Sequence, residues 1–160
     1  MDVERERFPI SVSSAVLIED EKGRILLVQQ EAEWKGEKWG PPAGGIHAFE
    51  SPIEAALRET KEETGLEVEL IDLMGVYTVP RGPSTTSIGF VFRGKIVGGE
   101  MALRNGEIKN YKYFTKEELE ELIRNNQLYK PEFNIPLIED RQAGKSYPLE
   151  IIKPMNKRKE

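Results

Sequence analysis

Three glutamates, Glu59, Glu62 and Glu63, are crowded into Arg58-Glu59-Thr60-Lys61-Glu62-Glu63. On a helix, residues three and four apart share a face, so the three carboxylates converge on one patch. They repel: two carboxylates about 4 Å apart in an effective dielectric near 20 cost roughly 4 kcal/mol. Something should offset that charge. Lys61 lies off the shared face and Arg58 is only one residue from Glu59, so a divalent cation is the simplest neutraliser. A Glu-rich helix taken alone is usually a solvated surface. The neighbourhood argues otherwise here. Ala43-Gly44-Gly45 lies just upstream, and a glycine loop can offer backbone amides and carbonyls to metal and phosphate.

Composition narrows the alternatives. The chain has no cysteine and one histidine, His47, which excludes disulfides, thiolate metal sites and multi-histidine zinc sites. A Ser-His-Asp triad would depend wholly on His47. Oxygen ligands remain, and they favour Mg²⁺, with Mn²⁺ as a substitute. A net charge of −5 suits a small anionic substrate held by a metal better than duplex nucleic acid. No apolar run approaches the roughly 20 residues of a membrane span. Met1 to Phe8 alternates acidic and basic residues without an apolar stretch, so no secretory signal is expected there. The lack of cysteine fits a cytoplasmic location. The 160 residues fit one domain. Its core is expected over about residues 10–130, with 131–160 as a C-terminal extension of unassigned structure, and a homodimer is left open.

The carboxylates need elements to hold them. Ser51-Pro52-Ile53-Glu54 is a strong helix start: a capping serine, proline at the first helical position, and a glutamate closing a capping box. Gly65 is placed to stop that helix. Upstream, Val12–Ile18 and Ile25–Val28 flank a polar turn and read as a hairpin. The two prolines and three glycines of Trp39–Gly45 read as loop. Leu66, Val68 and Leu70 alternate as a half-buried strand would; Ile88, Phe90 and Phe92 share a face of a later strand, and Tyr111 and Tyr113 of another. Thr115–Glu118 is a second capping box opening a helix with Leu119, Leu122 and Ile123 on its apolar side. Pro131–Pro148 reads as mostly irregular, and Lys157–Glu160 as a solvated tail. This order predicts an α+β domain with a mixed sheet between helices.

Gly44, Glu50, Arg58, Glu59, Glu62, Glu63, Gly65 and Leu66 fall at every fixed position of the 23-residue signature of the Nudix hydrolases. The chain resembles that family, and the Trp-Gly-Pro-Pro-Ala-Gly lead-in extends the likeness to roughly 110 residues. Thr60 stands where the family usually has an aliphatic residue and reads as a packing variant. Phe49 stands where many members have glycine. The resemblance implies an α/β/α sandwich and hydrolysis of a diphosphate linkage in a nucleotide by water attack at phosphorus. It implies Glu59 and Glu63 as main metal ligands, Glu62 assisting, and the Ala43 carbonyl completing the shell. Arg58 would orient a glutamate, and Glu50 and Gly44 would support the cluster. Glu59 and Glu107 are the two candidates for general base, a role typically worth 10²–10⁴-fold.

Substrate contacts are less defined. His47 either meets phosphate or packs. Trp34, Trp39, Phe8 and Tyr77 could each stack on a base or pack in a core. Arg81 lies after a strand, in a loop where specificity is often set. The pattern resembles family members acting on oxidised or ordinary nucleoside di- and triphosphates. An ADP-ribose or nucleotide-sugar pyrophosphatase ranks second, because Pro83-Ser84-Thr85-Thr86-Ser87 lacks the acidic residue such enzymes often carry after a proline like Pro80. A nucleotide-sensing domain without catalysis ranks third, because such domains typically lose box carboxylates and this chain keeps them.

Overall fold

Strand β1 (Ile10–Ile18) is buried on both faces along its second half. Ala15 and Leu17 enter one apolar cluster, and Val16 and Ile18 enter another. That double burial is why its apolar run is continuous instead of alternating. In the computed structural model, which describes residues 9–31 and 36–156, β1 forms the middle of a mixed sheet. Phe8, Trp34, the Met1–Phe8 stretch and the Lys157–Glu160 tail lie outside the described residues.

β1 pairs in parallel with β6 (Thr85–Gly99) and antiparallel with β4 (Ala43–Gly45). β6 in turn forms a long hairpin with β5 (Leu66–Arg81), whose register slips at three points and so bends. A second, antiparallel sheet has the order β3 (Trp39–Gly40), β2 (Ile25–Gln30), β7 (Ile108–Phe114). Helix α1 (Pro52–Thr64) covers one side, where Ala56 joins Val16, Ile18, Leu70 and Phe92. Helices α2 (Lys116–Arg124) and α3 (Pro131–Gln142) cover the other, with Leu119, Leu122, Leu137 and Ile138 against Leu17, Leu27 and Phe114. The result is the expected α/β/α sandwich. No helix among the described residues is long and apolar enough to cross a membrane.

Three local expectations are corrected. β1 and β2 are not a hairpin: Asp20 accepts from the backbone N–H groups of Lys22 and Arg24 and makes the turn, but only Glu19 and Ile25 bridge. Both edges of β1 are already taken, so β2 must pair elsewhere. The Trp39–Gly45 stretch is not all loop. Its glycines pair as short strands, and both prolines fall between them, where Pro42 offers its carbonyl to Val16 N–H at 3.1 Å. Finally, Pro131–Gln142 is helical despite Pro136 inside it. An interior proline costs about 3 kcal/mol. Burying Leu137 and Ile138, worth roughly 1.5–3 kcal/mol each, offsets that.

The hairpin is clamped by a charged pair. Asp72 on β5 accepts from Arg93 Nε at 2.8 Å and Nη2 at 2.5 Å, and from Ser146 Oγ at 2.7 Å. The guanidinium holds the Asp72 carboxyl below its ordinary value of 3.8. Its stabilisation is therefore present above that value and is lost as pH falls through the lower, folded-state value. We expect Asp72→Asn to cost about 1–3 kcal/mol at neutral pH. In urea melts across pH, the gap to wild type should narrow steadily below pH 3.8. A gap independent of pH would show that the charge is not what stabilises.

Candidate active site

Helix α1 is fixed at both ends. Ser51 Oγ accepts from Glu54 N–H at 3.1 Å, Glu54 Oε2 accepts from Ser51 N–H at 2.7 Å, and Pro52 opens the first turn. Gly65 ends it at φ 74°, a left-handed conformation that favours glycine. Two of the three clustered glutamates turn inward: Glu59 and Glu63 are buried, and Glu62 is exposed. Thr60 is fully buried, and its hydroxyl donates to Ala56 O at 2.9 Å. The methyl can therefore pack where an aliphatic side chain would, with no polar atom stranded.

Strand β4 lies against this face. Ala43 N–H donates to Glu63 Oε2 at 3.1 Å. A Cβ added to Gly44 would lie 2.1 Å from the Glu59 carboxyl carbon, so any larger residue must push that carboxylate aside. Arg58 does more than its place in the sequence suggested. Its Nη1 donates to Glu59 Oε1 at 2.7 Å and Glu62 Oε2 at 3.1 Å, its Nε to Glu50 Oε1 at 2.6 Å, and its Nη2 to Gly45 O at 2.8 Å. One guanidinium thus offsets the repulsion that seemed to require a cation. Its reach, set by a long side chain, matters more than its offset along the helix. The same contacts pull Glu50 down to about 2 and raise Arg58 above its usual range.

Arg104, which the sequence did not single out, ties in the next loop. Its Nη1 lies 3.3 Å from Glu62 Oε2 and its Nε 2.9 Å from Glu107 Oε2. Its backbone N–H donates to Glu63 O at the end of α1. Glu50, Glu59, Glu62 and Glu107 thus face Arg58 and Arg104, and with the Glu63 carboxylate on the Ala43 amide the cluster is left negative. Among the described residues no three carboxylates already enclose an ion-sized site. Even so, the donor set suits a hard cation: buried oxygens on Glu59 and Glu63, beside a strand lacking side-chain bulk.

Beside the carboxylates lies a cavity of about 310 Å³. Glu63, Gly44 and Gly45 line one side, Ser11, Arg81 and Glu107 the rim, and Tyr129, Phe133 and Asn134 the far wall. Arg81 ends β5 and donates to Ser11 Oγ at 3.2 Å. Asn134 is buried. Its Nδ2 donates to Tyr129 O, while its Oδ1 is the one buried side-chain nitrogen or oxygen among the described residues with no partner. Three side chains that the sequence left between substrate contact and packing have other partners. The Trp39 ring packs edge-on against Phe114, 4.9 Å between centroids. His47 is exposed, outside the cavity lining, and offers its backbone N–H to Glu50. The Tyr77 hydroxyl donates to Asp140 at 2.7 Å, with its ring behind Phe133. The far wall was missed in the sequence because Pro136 hid the helix, though Phe133 with Leu137 and Asn134 with Ile138 carry four-residue spacing.

Gly44→Ala should displace the Glu59 carboxylate, and a shift of about 1 Å at such a group costs on the order of 100-fold in turnover. Steady-state hydrolysis would measure this. Wild-type rates in Gly44→Ala would mean that the close approach is not required.

Known proteins share this fold. The NUDIX domain model matches residues 9–134. An ADP-ribose pyrophosphatase of Methanocaldococcus jannaschii is 32% identical over 124 residues, 76% of this chain and 72% of that protein. A nucleoside triphosphate pyrophosphatase/Nudix hydrolase fusion protein of Bifidobacterium longum is 39% identical over 69 residues, which is 42% of this chain but only 14% of that protein. A NUDIX hydrolase from Nitrosomonas europaea superposes with a TM-score of 0.82 at 29% identity, covering 94% of this chain and all of that one. The capped carboxylate helix, the glycine strand against it and these matches make one case: the chain belongs to the Nudix family of pyrophosphohydrolases.

Proposed function

We propose that this chain hydrolyses a phosphoanhydride bond of a nucleoside di- or triphosphate, ordinary or oxidised, with Mg²⁺ as its metal and Mn²⁺ able to replace it. One observation carries the reading: the buried Glu63, next to Glu59 and the glycine strand, lines a cavity of about 310 Å³ whose lining also includes Arg81, Tyr129 and Phe133. Tyr129 and Phe133 supply aromatic faces there. Arg81 on the rim, with Lys130, suits an anionic substrate.

Glu59 and Glu63, with Glu62 once released from Arg58, and the Ala43 carbonyl would hold the metal. The metal, when bound, supplies charge neutralisation at phosphate and acidifies water. The residues do the rest. Glu107 lines the cavity, whereas Glu59 is packed against Gly44, so Glu107 is the better placed base. It takes a proton from water as the water oxygen bonds to phosphorus and the bridging P–O bond breaks. Arg104 holds Glu107 over the site. Arg58 and Glu50 keep Glu59 in place. The enzyme would work in the cytoplasm on a small molecule.

A second reading, an ADP-ribose or nucleotide-sugar pyrophosphatase, draws on the M. jannaschii relative. A nucleotide panel with Mg²⁺, its products identified by mass, separates the two and reports the bond cleaved. Turnover of any member of the panel also rules out a purely sensing domain.

Glu63→Gln removes the charge of a buried ligand and keeps its volume. We expect turnover to fall at least about 100-fold while the fold persists. Mg²⁺ at 100 times its dissociation constant should stabilise wild type by about 2.7 kcal/mol, and Glu63→Gln by much less. Thermal melts in MgCl₂ and in NaCl of matched ionic strength test this. Coincident wild-type curves would sink the metal assignment.

A further inference from the structure

Glu107 reaches the cavity from a turn between β6 and β7, and the backbone of that turn is tied down on two sides. Ala102 N–H donates to Thr64 O at 2.8 Å and Arg104 N–H to Glu63 O at 3.1 Å, which gives partners to carbonyls that the end of α1 leaves open. Arg104 O then accepts from Glu107 N–H at 3.2 Å and from Ile108 N–H at 2.9 Å, around Gly106 at φ 78°. Glu107 O accepts from Glu31 N–H at 2.9 Å, just past β2. These bonds fix the main chain but not the Glu107 carboxylate. Among the described residues one side chain restrains it: Arg104, whose Nε lies 2.9 Å from Glu107 Oε2.

The same guanidinium holds a second carboxylate. Arg104 Nη1 donates to Glu62 Oε2 at 3.3 Å, and that oxygen also accepts from Arg58 Nη1 at 3.1 Å. Arg104 thus stands between the carboxylate face of α1 and the residue placed as base. The side chains of both pairs are 39–46% exposed, and an exposed ion pair stabilises a fold by only about 0–1 kcal/mol. Stability is therefore not what these pairs provide. They fix position: a planar guanidinium keeps its donors at set angles, so two carboxylates bound to it are placed relative to each other.

We propose that Arg104 is a positioning residue that links Glu62 to Glu107. It competes with the metal for Glu62, and once Glu62 turns to the metal its guanidinium is left to hold Glu107 above the cavity. The proposal rests on the assignment of Glu107 as base made above and deepens it. Two effects of opposite sign follow from removing the guanidinium. Glu62 is released and a positive charge leaves the cluster, so Mg²⁺ binds more tightly. Glu107 loses its restraint, so turnover falls. A residue that merely supported the fold would weaken both.

The test uses Arg104→Ala, Arg104→Lys, Glu107→Gln and the double variant Arg104→Ala/Glu107→Gln. Rates are measured with the nucleotide of the panel that wild type turns over fastest, and binding of Mg²⁺ alone is followed by thermal melting. In Arg104→Ala, kcat should fall about 10- to 100-fold with KM changed by less than about threefold, and Arg104→Lys should recover part of the loss. In the Glu107→Gln background the same alanine should cost less than about threefold, because a residue acting through Glu107 then has nothing to position. The dissociation constant for Mg²⁺ should fall about 3- to 10-fold in Arg104→Ala. Equal losses of kcat in the two backgrounds, an unchanged kcat in Arg104→Ala, or Mg²⁺ binding that is unchanged or weaker would each overturn the proposal; the reading of Glu107 as base survives them if Glu107→Gln alone is slow. Glu107→Gln at the wild-type rate overturns that reading and the proposal with it, as does a wild type that turns over no nucleotide of the panel. If the alanine variant fails to fold, Arg104→Lys carries the same comparison: its loss of kcat should vanish in the Glu107→Gln background, and a loss that persists there overturns the proposal.

Discussion

The close approach of strand β4 to the carboxylate face of α1 is the constraint on which the site depends. Gly44 comes so near the Glu59 carboxyl that a side chain there would displace it, and Ala43 reaches Glu63 with its amide. Two buried negative charges against a backbone are tolerable only if donors and a countercharge are supplied. The strand supplies an amide, and Arg58 supplies a guanidinium shared among Glu50, Glu59 and Glu62. Because Arg58 also holds Gly45, the arginine that neutralises the helix fixes the strand in place. Geometry and electrostatics therefore have a single origin.

That dependence explains which parts were legible in the sequence. The helix and its ends are local features: Ser51, Pro52, Glu54 and Gly65 define it through nearest-neighbour chemistry, and the carboxylate spacing follows. The layered fold was legible too, because Val12–Ile18 and the capped helices announce buried elements. Arg58 was underestimated because spacing rules describe where Cα–Cβ bonds point, whereas a guanidinium acts several bonds away. Arg104 was invisible for a different reason: it joins Glu62 to Glu107 across 42 residues from the first, and only the fold brings them together.

The far wall of the cavity shows the converse. Tyr129, Phe133 and Asn134 stand on or just before a helix that local rules dismiss, because Pro136 sits inside it. Tertiary burial of Leu137 and Ile138 overrides the local preference. Trp39 and Tyr77 read either way in the sequence, since an aromatic side chain does not reveal whether it faces a ligand or the core. Trp39 meets Phe114, and Tyr77 meets Phe133 and Asp140.

The parallel pairing of β1 with β6 has a consequence for how the molecule assembles. Ile10 aligns with Thr86 and Ile18 with Gly94, so this ladder closes a loop of about 75 residues, and pairings that distant form late. The carboxylate helix and its glycine strand are near neighbours in the chain and can meet early. The cavity needs Ser11 from one end, Arg81 from the middle and Asn134 from near the other. The acidic cluster can therefore gather before there is any chamber beside it, and the walls of that chamber are the last part of the site to assemble.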